Sequence, residues 1–275
     1  DEARITAQLQ HPSVVAVHAL GTDDRGRPFF TMQLVEGRTL RDILDGLTRR
    51  VPEDVRRFGR TRLVQMVMQI CNSLAYAHSR GVIHRDLKPE NIMLGKYGEV
   101  FVMDWGLAKI VRTDVPDPVV GGRPEGAVFQ TRAGEITGTP SYMAPEQALG
   151  LVDALGPRSD IFSVGAILYE IMALRPPFTG VDTRDVLRQA QRAPIRPLSE
   201  VAPEADVPPA LEGVVMTCLA RDPSDRYADA TTLRDELEAC LTGGRTVLHK
   251  VRDAARQVRE ATRVAQQFQD LARQR

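Results

Sequence analysis

Apolar and polar residues alternate in two short runs near the start of the chain, "SVVAVHAL" from Ser13 and "PFFTMQLV" from Pro28, with the polar stretch "GTDDRGR" between them. A period of two on either side of turn residues predicts a β-hairpin. Upstream, "EARITAQLQ" has the spacing of a helix end, stopped by His11-Pro12. Spacing of three to four residues then takes over in "RTLRDILDGL" and in the longer "RRFGRTRLVQMVMQICNSLAYAHSRG". These predict two helices, the second closed by Gly81 as its C-terminal cap. From Ile92 to Asp104 two short strands are expected on either side of "GKYGE".

The longest apolar run, "IFSVGAILYEIMAL" from Ile161 to Leu174, is too short to cross a bilayer and carries Glu170, so it reads as a buried core helix. Residues 112–138 are polar and rich in Gly and Pro, the composition of a long functional loop. The remainder to about Leu241 reads as helices joined by Pro-rich connectors. Beyond it, Arg245 to Arg275 holds eight Lys and Arg against Asp253, Glu260 and Asp270. Its apolar residues fall at alternating steps of four and three, as in a weak coiled-coil seam. That segment is expected to be a basic amphipathic helix that joins a dimer, lies on the preceding lobe, leads to a further domain or meets a membrane.

Composition narrows the class. The 275 residues are 43% hydrophobic and 26% charged, which describes a globular chain long enough for one large domain or two lobes. Lys+Arg and Asp+Glu both total 36, so no overall charge argues for a nucleic-acid partner. Cys71, Cys218 and Cys240 are few, odd in number and far apart, as suits free thiols in a reducing cytoplasm. No signal peptide is visible, and the chain opens on Asp1 within a helical pattern, so a further segment upstream is expected.

The chemistry concentrates in "HRDLKPEN", residues 84–91, followed by "DWG" at 104–106. Pro89 removes a backbone donor and disfavours helix before it, so the octapeptide is a loop on which side chains can converge. Asp104 is expected at the end of a strand, with Gly106 supplying the freedom to turn. Asn91 and Asp104 offer the oxygen ligands that Mg²⁺ prefers. Asp86 and Lys88 then remain for a hydroxyl nucleophile and for the charge of a transferring phosphoryl group.

These motifs resemble those of the protein kinases, in particular the bacterial serine/threonine kinases of eukaryotic type. The pattern H-R-D-x-x-x-x-N, D-F-G, A-P-E is matched by His84-Arg85-Asp86, Asn91, Asp104-Trp105-Gly106 and Ala144-Pro145-Glu146, in order. The resemblance covers about residues 1–242. It implies an α+β, two-lobed fold: residues 1–36 as part of the small lobe, 37–242 as the mostly helical large lobe, and 243–275 outside it. It further implies ATP and Mg²⁺ as cofactors, proteins carrying Ser or Thr as substrates, and autophosphorylation.

Residue by residue, the resemblance makes Asp86 the group that orients the substrate hydroxyl and accepts its proton, and Lys88 the cation at the γ-phosphate. Asn91 and Asp104 would bind Mg²⁺. Glu2 resembles the glutamate that pairs with the ATP-binding lysine, Met32 the gatekeeper, Gln33 to Val35 the adenine-binding hinge, and Met93 the residue beneath the adenine. Arg85 resembles the receiver of an activation-loop phosphate, with Thr131 and then Thr137 as acceptors. Structural parts fall to His84, Thr139, Asp160, and the pair of Glu146 with Arg226. Departures stand out: Trp105 replaces the usual phenylalanine, Thr6 stands where the family often has an apolar residue, and no G-x-G-x-x-G occurs. The position of the ATP-binding lysine falls before Asp1, so the chain by itself is expected to be an inactive fragment of a working kinase. A non-catalytic scaffold is the alternative reading, disfavoured by retention of Asp86, Lys88, Asn91 and Asp104 together.

Overall fold

The computed structural model describes residues 9–110 and 138–243. The hairpin forms where the alternation predicts it, with β1 (Val17–Thr22) antiparallel to β2 (Pro28–Met32). It is shorter than the apolar runs: Val14 instead makes a parallel bridge to Val102, and the Val102 N–H donates to Ser13 O at 2.8 Å.

A three-stranded antiparallel sheet follows, in the order β3 (Gly37–Thr39), β5 (Ile92–Gly95), β6 (Val100–Val102). Its register sets Thr39 opposite Met93 and Ile92 opposite Val102. A two-residue strand, β4 (Val82–Ile83), pairs with β7 (Lys109–Ile110).

Helix α1 (Leu40–Thr48) begins two residues later than the pattern suggests, because Arg38 and Thr39 are taken into β3. Thr39 caps it: its hydroxyl accepts from Asp42 N at 3.1 Å while the Asp42 carboxylate accepts from Thr39 N at 3.0 Å. The long helical pattern from Arg56 to Gly81 proves to be two helices, α2 (Pro52–Arg57) and α3 (Arg60–Ser79). Phe58 leaves helical geometry (φ −118°, ψ 65°) and is buried, with Arg57 and Arg62 each 5.5 Å from its ring centroid. Burying one aromatic ring there outweighs the continuation of the helix. At the other end Gly81 has φ 75°, which admits the left-handed turn that ends α3.

Helices α4 (Pro145–Ala148), α5 (Pro157–Ala173), α6 (Thr183–Arg192), α7 (Leu198–Val201), α8 (Pro209–Cys218) and α9 (Ala230–Thr242) complete the large lobe. The expected core helix starts four residues earlier than its apolar run, with Pro157 at the first helical position. Every residue from Ser159 to Met172 is buried, and α5 packs against α3, α8 and α9. Gly165 permits the closest approach, since a Cβ there would stand 2.5 Å from Cys218 Cβ. Leu74, Ile92, Ile161, Phe162, Val214 and Leu237 share one continuous core with these helices. No helix among the described residues is long and apolar enough to cross a membrane.

Candidate active site

The loop from His84 to Lys88 runs between β4 and a 3₁₀ turn at Pro89–Asn91. It is held from below by Asp160, in the first turn of α5, which is fully buried. Asp160 Oδ1 accepts from Arg85 N at 2.9 Å; Oδ2 accepts from His84 N at 2.8 Å and lies 2.8 Å from His78 Nε2. Burial alone would raise this carboxyl's pKa, but the hydrogen bond and charge of His78, His84 and the Arg85 amide outweigh it, and the net direction is down. Arg85 adopts φ 73°, and its carbonyl accepts from Gln147 Nε2 at 2.6 Å.

Held in this way, the loop presents a connected polar set. Lys88 Nζ donates to Asp86 Oδ2 at 2.7 Å and to Thr139 Oγ1 at 3.1 Å. Asp86 Oδ1 accepts from the Thr139 amide at 3.0 Å and from its hydroxyl at 3.2 Å. Asn91 Nδ2 donates to the Asp86 carbonyl at 2.9 Å. Asp86 is 8% exposed and Asn91 6%, so both are largely withdrawn from water.

The strand pair carries this geometry over to Asp104. Met103 N donates to Asn91 O at 2.8 Å, and Met103 O lies 3.0 Å from His84 Nε2. Since Nε2 must donate to that carbonyl and Nδ1 accepts from Asp86 N at 3.3 Å, His84 is held as the neutral Nε2–H tautomer. Burial lowers its pKa and acts in the same direction. His84 also packs 4.6 Å from Trp105, whose Nε1 donates to Val102 O at 3.2 Å.

The turn after β6 differs from the expectation. Asp104 itself, not Gly106, takes the left-handed conformation, with φ 55°. Its Oδ1 accepts from Gly106 N at 3.3 Å, a short polar side chain compensating its own strained backbone.

Glu146, in α4, and Arg226 form a buried bidentate pair at 2.7 and 2.8 Å. The remaining guanidinium donors go to Ala220 O, Arg158 O and Arg221 O, so all five are used. Ser159 Oγ donates to Glu146 at 2.8 Å.

Met32 ends β2 and is 38% exposed, and Gln33 N donates to Ala16 O at 2.9 Å. Val35 is half-buried in the link from β2 to β3, and half-buried Met93 lies on β5 across from Thr39. Glu2, Thr131 and Thr137 lie outside the described residues. Sequence reasoning did not single out His78 or Gln147. Thr139, expected as a structural threonine of the substrate pocket, bonds directly to Asp86 and Lys88. His78 sits six residues before His84 in a helix pattern, and only the fold brings it beneath Asp160.

This set belongs to a protein kinase domain, and the chain is a member of that family: the protein kinase domain model matches residues 1–237. Among curated relatives it is similar to the serine/threonine-protein kinase PknD of Protochlamydia amoebophila, at 36% identity over 249 residues, 88% of this chain and 25% of that protein. A probable serine/threonine-protein kinase of Streptomyces coelicolor is also 36% identical, over 246 residues, 88% of this chain and 33% of that protein. PknD of Chlamydia pneumoniae is 36% identical over 247 residues. The chain thus spans 25% to 33% of the length of these relatives. Their bacterial origin and the HRD, DxG and APE motifs place the domain in the bacterial eukaryotic-type class, with the expected α+β two-lobe fold.

Proposed function

We propose that this domain transfers the γ-phosphoryl group of ATP to serine or threonine hydroxyls of proteins. One observation carries the reading most: Asp86 shares its carboxylate with Lys88 and Thr139 while Asn91 ties the same loop to Met103, the residue before Asp104. In the step, the substrate oxygen bonds to phosphorus, the bond to the departing ADP oxygen breaks, and the hydroxyl proton passes to Asp86. Lys88 supplies positive charge beside the transferring group. His84 and Asp160 touch no reactant and act by fixing the loop.

The donor set suits Mg²⁺. The Asn91 amide nitrogen is committed to the Asp86 carbonyl, which leaves Oδ1 as its ligand atom, and Asp104 adds an exposed carboxylate. Two oxygen ligands from protein, completed by water and phosphate oxygens, is the usual arrangement for this ion. When bound, the ion supplies charge neutralisation at the phosphates. Met32, the Gln33–Val35 backbone and Met93 are the groups we assign to the adenine. Autophosphorylation at Thr131 or Thr137, read by Arg85, belongs to the same proposal. So does a cytoplasmic setting, supported by three free cysteines.

The test is Asp86→Asn in the full-length protein. Turnover of a serine peptide should fall by roughly three orders of magnitude or more, while nucleotide affinity stays within about twofold, because Asp86 acts on the hydroxyl rather than on ATP. Turnover persisting near the wild-type rate would remove Asp86 from its role and favour a scaffold.

A further inference from the structure

Beside the catalytic loop lies a second polar cluster that the reaction above does not use. Arg41, in the first turn of α1, donates from Nε to Glu90 Oε1 at 2.9 Å and from Nη1 to Glu170 Oε1 at 2.8 Å. Its Nη2 donates to the Tyr142 hydroxyl at 2.5 Å and to Glu170 Oε2 at 3.3 Å. Tyr142 in turn donates to Glu170 Oε2 at 2.6 Å, and Asp45 stands 3.7 Å from Nη1.

Two features of this cluster call for an explanation beyond stability. Glu170 is a buried charge near the C-terminal end of α5, its side chain only 4% exposed. A buried ion pair is weak support for a fold, since apolar residues of similar volume commonly do as well. The position of the cluster is the second feature. Glu90 stands between Lys88 and Asn91, and Tyr142 lies three residues after Thr139, which bonds both Asp86 and Lys88. Two carboxylates therefore converge at the edge of the loop that would receive the phosphoacceptor, one buried and one 45% exposed. Such a pair is a ready site for a guanidinium group. Here the chain fills it with its own. Burial would lower the pKa of Arg41, but hydrogen bonds to Glu170 and Glu90 outweigh it and the net direction is up, so the cation is firmly held.

We propose that Arg41 is a specificity-determining residue: its guanidinium occupies an acidic site beside the phosphoacceptor position and so prevents a basic side chain of the protein substrate from binding there. The proposal rests on the kinase reading for the location of the substrate. It makes wild-type enzyme indifferent to arginine at the substrate position that reaches this site, and it makes the site available once Arg41 is cut back.

The experiment uses the full-length protein and a synthetic serine peptide, in which a single arginine is moved through the positions flanking the serine. Wild type should show no position that raises kcat/KM by more than about twofold over the arginine-free parent. Arg41→Ala should gain one position preferred by roughly tenfold or more, the worth of one charge-assisted contact, and R41A/E170Q should lose that gain. A flat profile for an active Arg41→Ala enzyme overturns the proposal. Arg41→Gln serves if Arg41→Ala does not fold: it too should gain an arginine-preferring position, and a flat profile for an active Arg41→Gln enzyme, or an arginine preference already present in wild type, overturns the proposal. Fluorescence anisotropy of the same peptides without ATP separates the two readings. No turnover on any peptide, with tight binding of one arginine peptide to R41A alone, would sink the kinase reading and keep the occupied site; turnover with unchanged binding would do the reverse.

Discussion

Replacing Asp160 with asparagine exchanges one carboxylate oxygen for an NH₂ group and should destabilise the whole loop from His84 to Lys88. The carboxylate accepts from two backbone amides on one side chain, Arg85 N on Oδ1 and His84 N on Oδ2, with His78 beside Oδ2. An amide has one acceptor oxygen. Whichever way it is turned, its NH₂ faces a backbone N–H that has lost its partner, at a site of zero exposure. An orphaned buried donor costs about 1–3 kcal/mol, and the bonds that survive change from charge-assisted to neutral. The asparagine does escape the desolvation of a buried carboxylate. Yet the Asp160 pKa lies below its ordinary value, so the charged form is already favoured over the neutral one by its surroundings. The expected loss is therefore about 2–5 kcal/mol, a large share of the 5–15 kcal/mol typical of a domain. Urea denaturation followed by tryptophan fluorescence reads it, because Trp105, the single tryptophan, packs on His84. Peptide turnover should fall at the same time, below the denaturation midpoint, as the loop loses its anchor. A variant within about 0.5 kcal/mol of wild type would refute the hydrogen-bond reasoning, since such a value is ordinary for a surface change.

Three further outcomes follow from the same contacts. Arg226→Met should cost about 3–5 kcal/mol by leaving Glu146 buried beside an apolar chain, and E146Q/R226M should cost clearly less than the sum of the single variants; additive losses in urea melts would contradict a coupled pair. Trp105→Phe should lower stability by about 1–3 kcal/mol, because the Val102 carbonyl loses its indole donor, while leaving turnover close to wild type, since Asp104 is untouched; a large loss of turnover would place the indole in the reaction. His84, whose folded pKa is below its free value, binds its proton more readily when the chain is unfolded, so its contribution to stability is present above about pH 6.5 and is lost as the pH falls below it. The midpoint of thermal unfolding should drop between pH 7 and 5.5, and His84→Asn should flatten that slope; an unchanged slope would mean other groups set it.

Much of this arrangement was legible in the order of residues. The HRD, DxG and APE motifs locate the loop, and the alternation of Val17 to Met32 locates the hairpin, because both signals are local. What the pattern missed was decided by tertiary contacts. Phe58 breaks a continuous helical period since its ring finds a place in the core. Arg38 and Thr39 read as helix but pair with Leu94 and Met93 across more than fifty residues. His78, Gln147 and Arg41 carry no motif. Each is an ordinary polar residue on a helix until the fold sets it against Asp160, Arg85 or Glu170.

Among the described residues five non-glycine positions have positive φ, and two of them, Arg85 and Asp104, flank the catalytic set. Each such position costs roughly 1–2 kcal/mol for an L-residue, and glycine would relieve it. Glycine would also remove the side chain. At Asp104 the carboxylate is the proposed ligand, so the strain cannot be relieved without losing the chemistry. At Arg85 the unusual backbone serves its neighbours: it aims the N–H groups of His84 and Arg85 at one carboxylate while the Arg85 carbonyl turns to Gln147. Two bonds from α4 and α5 thus hold the strained residue itself and a third holds His84 before it, and Asp86 follows directly. The placement of the carboxylate proposed to react is consequently a property of the helical core rather than of the loop. For that reason, a substitution in α5 that never touches a substrate is expected to disable the site.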